Sequence, residues 1–269
     1  MIRLRDPGIS AVTAKRLAEL QQEVDTSGSY AQQVAAAKEL FPRHNRGDRP
    51  PFREVREALK SMCSGDEHCM YCEDAPADEV EHVHPKDLYP EVVFAWENFL
   101  FACGRCNGSK LARFRVFHPR GSVNAVDVSR SSGAPVAPPL DGDPLLIDPR
   151  REDPLTFLWL DLATFLFVPS TSGPARDAQR AAYTIDVLGL NRRDRLVRTR
   201  RCAYWHFRDH LQCYVQAQRA IPPAPAEQER ASRLREMSHA TVWAEMKRQR
   251  AQHPELAALF TAAPEALAW

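Results

Sequence analysis

Two cysteine pairs, Cys69-x2-Cys72 and Cys103-x2-Cys106, stand about thirty residues apart in a chain of 269 residues. A short knuckle aims two thiolates at one point, and two knuckles make the tetrahedral four-thiolate set that holds Zn2+. An iron–sulfur cluster takes the same ligands, but the spacing is read here as zinc. The chain has seven cysteines and opens Met1-Ile-Arg-Leu-Arg-Asp-Pro-Gly8, without the apolar core of an export signal. That favours metal ligation over disulfides and a cytoplasmic setting. Cys63, Cys202 and Cys213 are left over, and the expectation for them is an ordinary buried thiol. No apolar run approaches the ~20 residues of a membrane helix; the longest, residues 155–168, is broken by Asp161. A net charge of +1 announces no polyanionic partner, so any attraction to phosphate has to be local.

Periodicity predicts helix over residues 11–41, from Val12, Leu17, Leu20 and Val24 into an alanine-rich run. Pro42 to Pro51 breaks it, and a helix over residues 52–62 carries charges that read as a solvated face. Strands are predicted over residues 78–85 and 99–102, with a helix from Asn107 carrying Lys110 and Arg113. Such a unit is too small to bury much surface, so zinc would supply stability that the local core lacks. Ser, Pro, Gly and Ala then mark a loop. Residues 156–160 and 164–168 read as a hairpin, and residues 174–188 and 191–219 as helices. A proline-rich break at Ile221 to Pro225 precedes a last helical stretch that kinks or stops at Pro254. The chain is thus α+β, with an N-terminal helical region (1–62), a metal-bearing core (63–120), a linker (121–142) and a mainly helical C-terminal region with a hairpin (143–269).

Between and after the cysteine pairs lie Glu81-His82-Val83-His84-Pro85, Asn98, and Cys103-Gly-Arg-Cys106-Asn107-Gly-Ser-Lys110. This pattern resembles the HNH, or ββα-metal, endonucleases with a four-cysteine zinc site. The resemblance implies a ββα-metal core embedded in a mainly helical chain. It makes His82 the general base, Glu81 and Asn107 ligands of a catalytic Mg2+ or Mn2+, and Asn98 the residue orienting the base. Glu81 stands where Asp is more usual, and Asn107 where many members have His. The chemistry agrees with these residue types. Imidazole takes a proton from water near neutral pH, and hard cations prefer oxygen donors. Adjacent strand residues point to opposite faces, so Glu81 and His82 share a site only if the strand bulges. His84 would lie on the His82 face, a secondary candidate for contact with metal or phosphate. Arg105, Lys110 and Arg113 are candidates to hold a nucleic-acid backbone.

Over residues 50–215 the chain is similar, more narrowly, to the HNH proteins of retron and Septu anti-phage systems. The strings that carry this are Cys69-Met-Tyr-Cys72, Val80-Glu-His-Val-His-Pro-Lys86, Trp96-Glu-Asn-Phe-Leu100, Leu146-Ile-Asp-Pro149 and Ile185-Asp-Val-Leu-Gly-Leu-Asn-Arg192. The resemblance implies a nuclease effector that cuts duplex DNA beside an ABC- or SMC-like ATPase partner. Two other classes stay open: a non-catalytic zinc module that binds nucleic acid or protein, and an RNA-directed nuclease. Arg192, Arg193, Arg195, Arg198, Arg200 and Arg201 crowd one segment. They could track a phosphate backbone, meet an acidic partner or form a solvated face. Cys202, His206, His210 and Cys213 recur on one helical face, read as a packed stripe before a second metal site.

Overall fold

In the computed structural model, residues 1–47, 49–218, 233–234 and 236–269 are described; the proline-rich break at 221–225 lies outside them. The predicted first helix is two. Helix α1 (Ala11–Asp25) is capped by the Ser10 hydroxyl, which accepts from Thr13 N, and α2 spans Tyr30–His44. Gly28, at φ +98°, makes the turn between them, a conformation that L side chains rarely adopt. Pro42 lies inside α2 and does not end it. Helix α3 (Phe52–Met62) buries Phe52, Val55, Leu59 and Met62, one stripe at helical spacing. Not all of its charges are solvated display. Glu54 accepts from Ser10 N, Ser10 Oγ and Thr13 Oγ1 at the start of α1, and Arg56 donates to Asn45 O and Gly47 O.

Strand β1 (Glu79–His82) pairs antiparallel with β2 (Phe99–Ala102) in the register Glu81↔Leu100 and His82↔Phe99. Helix α4 (Gly104–Lys110) follows at once, with Cys103 as its N-cap. It begins three residues before the predicted Asn107 and ends before Arg113. The expected linker holds one strand, β4 (Ala125–Asp127), which with β5 (Asp143–Pro144) just beyond it flanks β3 (Arg115–Phe117) in a small antiparallel sheet. A single turn, α5 (Pro154–Phe157), leads into the hairpin of β6 (Leu158–Leu160) and β7 (Phe167–Pro169). Helices α6 (Ala175–Val187), α7 (Asp194–Gln218), α8 (Ala240–Gln249) and α9 (Pro254–Ala262) complete the described chain. Pro254 opens α9 at its first turn, where a missing N–H costs nothing.

One apolar core runs from Leu17 and Phe41 through Phe99 and Phe101 to Phe207, Trp243 and Phe260. The C-terminal helices are tied to the metal-bearing part by hydrogen bonds as well as by packing. Buried Glu73, next to Cys72, accepts from Thr241 N and Thr241 Oγ1 at 3.0 Å each. Glu245, buried on α8, accepts from Leu160 N at 3.2 Å. No helix among the described residues is long and apolar enough to cross a membrane.

Candidate metal centre and active site

The first knuckle is a tight turn. Cys69 N donates to Ala75 O, Glu73 N donates to Cys69 O, and Met70 N donates to Phe101 O on β2. The second knuckle is the first turn of α4, where Cys106 N and Asn107 N donate to Cys103 O. All four cysteines are buried, and their sulfur atoms lie within 4.8 Å of one another, Cys72 and Cys103 at 3.8 Å. A tetrahedral Zn2+ with Zn–S bonds of about 2.3 Å requires sulfurs about 3.8 Å apart, so the donor set fits zinc. Packed this closely, the four thiols perturb one another. Hydrogen bonding from Cys103 and its neighbours holds Cys72 down, while burial pushes Cys69 up. Arg193, at the turn into α7, donates to Cys106 Sγ at 3.4 Å and offsets part of the charge of a four-thiolate site. Among the described residues this is the one cluster of three or more His, Cys, Asp or Glu able to hold a metal.

β1 is regular, without the bulge that would bring Glu81 and His82 to one side. Glu81 therefore faces α4, where Lys110 Nζ donates to Glu81 Oε1 and to His82 O, each at 2.7 Å. Lys110 is 0% exposed. Expected at a nucleic-acid backbone, it is spent inside the protein. Arg113 donates to Ser109 O and Val187 O and ties the end of α4 to α6. Arg105 and Arg113 are both exposed, but of the three cations expected to meet phosphate Arg105 alone makes no hydrogen bond or ion pair among the described residues. Asn107 donates to Glu79 Oε2 at 2.5 Å. Glu79 shares the α4-facing side with Glu81 and was missed in the sequence, although i, i+2 alternation signals it. Glu81 and Asn107 thus hold different partners, Lys110 and Glu79.

His82 faces the other way and is 4% exposed. Its ring packs on Phe41 of α2 at 4.3 Å and on Phe99 at 5.4 Å between centroids. Its Nε2 lies 2.9 Å from Val93 O. A carbonyl only accepts, so the proton sits on Nε2 and the lone pair on Nδ1. Burial, with Lys86 and Lys110 nearby, pushes this imidazole down to about 3. Asn98 works on the backbone of the following turn: its Oδ1 accepts from His84 N at 2.7 Å, and its Nδ2 donates to His84 O and Val92 O. His84 and Asn98 line a cleft of about 810 Å3, together with Tyr30, Tyr89, Arg120 and Arg151. The His84 ring lies against Tyr89 and Phe114, each at 5.2 Å. Burial and then Arg151 push it down to about 4.

The expected packed stripe on α7 is also corrected. Cys202 and Cys213 are exposed, and His206 is exposed between them. Cys63 is half-buried, with burial raising its thiol to about 12.

A stretch of 61 residues is 49% identical to the Septu protein PtuB of Bacillus thuringiensis. The match covers 21% of this chain and 23% of that protein, so the chain spans under a quarter of the curated relative's length. No protein-family model matches the chain.

Proposed function

We propose that this protein is a metal-dependent endonuclease of the ββα-metal type, the DNA-cutting effector of an anti-phage defence system working with an ATPase partner. One observation carries the reading: a β-hairpin and the helix after it are clamped by a buried four-cysteine cluster, with Glu81, His82, Asn98 and Asn107 at the spacing of the HNH pattern. The local identity to a Septu protein supports the defence setting. Mg2+ or Mn2+, when bound, supplies Lewis-acid stabilisation of phosphoryl charge. For the chain's own residues, Asn98 fixes the turn after β1 and His82 serves as the base. His82 is shut behind Phe41 in this conformation, so its exposure requires α2 to shift. His84 already faces the cleft.

The regular strand and the dry His82 favour a second reading, a zinc module that binds nucleic acid or protein without cutting it. His82→Ala and His84→Ala, tested on duplex DNA, single-stranded DNA and RNA with Mg2+, Mn2+ or EDTA, separate the two. Loss of cleavage in His82→Ala alone, with zinc content and a cooperative melt retained, is the expected result. Loss in His84→Ala alone would move the base to the cleft-facing imidazole. No metal-dependent cleavage by the wild type in the presence of its ATPase partner would leave the zinc module.

A further inference from the structure

The six arginines that crowd residues 192–201 do not form one patch. Arg200 is buried and donates to Phe165 O at 3.2 Å and Leu190 O at 2.9 Å, and Arg193 turns to the zinc knuckle. Helix α7 packs Leu196, Ala203, Phe207, Leu211 and Tyr214 inward. Its opposite face presents Arg195, Arg198, Arg201 and Trp205, at i, i+3, i+6 and i+10, all exposed. These positions fall within roughly a third of the helix circumference at about 100° per residue.

Three properties set this strip apart from a solvated helix face. Among the described residues no acidic side chain pairs with Arg198 or Arg201, while Arg195 is ion-paired to Asp74 at 3.8 Å. Trp205 leaves 46% of its surface in water, whereas tryptophan is normally well buried. The Arg201 guanidinium lies 5.5 Å from the Trp205 ring, so cation and aromatic form one unit. The strip also begins beside the metal centre, because Arg193 contacts Cys106 and Arg195 pairs with Asp74, two residues after Cys72.

We infer that the outer face of α7 is a docking strip for single-stranded DNA, with Arg195, Arg198 and Arg201 on successive phosphates and Trp205 stacked on a base. Arginine meets phosphate with a planar fork of donors. An aromatic ring beside a basic track is the arrangement that holds an unpaired strand, since every base offers a π-face. A duplex keeps its bases stacked and gains only the phosphate contacts. The strip rests on the nuclease reading for its relevance, but its test reads binding rather than cutting.

The full zinc-loaded chain carrying His82→Ala is titrated by fluorescence anisotropy with labelled oligo-dT, a duplex of equal length and polyglutamate. The expected result is tighter binding of oligo-dT than duplex, with log K falling by roughly 2 per tenfold rise in salt for three phosphates. Arg195→Gln/Arg198→Gln/Arg201→Gln should weaken both DNAs at least tenfold and flatten the salt slope, while the triple lysine variant keeps most binding. Trp205→Ala should weaken oligo-dT by about tenfold and leave the duplex unchanged. Oligo-dT binding unaffected by either the triple glutamine variant or Trp205→Ala overturns the strip. Preference for polyglutamate over DNA also overturns it and makes the face an acidic-protein surface. These outcomes are independent of whether His82 or His84 supports cleavage.

Discussion

Removing the Lys110 ammonium should destabilise the protein more than removing the whole ion pair. At 2.7 Å, with side chains 1% and 6% exposed, the Lys110–Glu81 attraction is on the order of 6 kcal/mol at an effective dielectric near 20. The desolvation of two buried ions, several kcal/mol each, offsets most of that, so the intact pair contributes little net stability. Lys110→Met keeps the aliphatic stem and deletes the charge. It leaves the Glu81 carboxylate dry and unpaired and removes a donor to His82 O, at a cost of about 3–5 kcal/mol. Glu81→Leu/Lys110→Met removes both charges and should recover most of the loss. Urea melts of the wild type, both single variants and the double variant close the cycle, with an expected coupling above roughly 2 kcal/mol. A coupling below about 1 kcal/mol, the value of an exposed pair, would refute the buried-pair account. The same variant bears on function: if Glu81 is a metal ligand, losing the competing ammonium should strengthen Mn2+ binding measured by electron paramagnetic resonance.

Purified protein should carry about one zinc per chain by elemental analysis. Cys103→Ser should lose it together with cooperative melting of the 63–120 region, because metal binding there is folding free energy; full stability without zinc would contradict the site. Acid should destabilise the fold through its buried histidines. His82 and His84 are held down to about 3 and about 4, so between pH 6.5 and those values the unfolded chain binds protons that the native state does not. Stability from each is therefore full above about pH 7 and lost as pH falls, by roughly 2 kcal/mol each at pH 5. Denaturant melts at pH 7.5 and 5.0 test this, and His82→Gln should remove about half of the change; an unchanged slope in that variant would show that His82 is not dry.

Which residues share a face was legible in the sequence; which face turns inward often was not. Helix α3 was expected over residues 52–62 and found there, and the two knuckles marked the metal centre, because ligand spacing and helical period are local. On α7 the buried stripe contains Arg200, which finds its partners in Phe165 O and Leu190 O. A charged residue in the inward row hid the helix phase, so Cys202 and Cys213 were expected inside and lie outside.

The sequence by itself determined the four-thiolate site, the hairpin-then-helix order and the motif residues Glu81, His82, Asn98 and Asn107. Only the tertiary structure decided what those residues face. A regular β1 sends Glu81 to Lys110 and His82 to Phe41, and Asn98 holds the backbone of His84 at the cleft. The physical reason is that strand alternation fixes only that neighbours diverge. The environment each side chain meets is built by Phe41, Val93 and Lys110, between 11 and 41 residues away from His82 or Glu81.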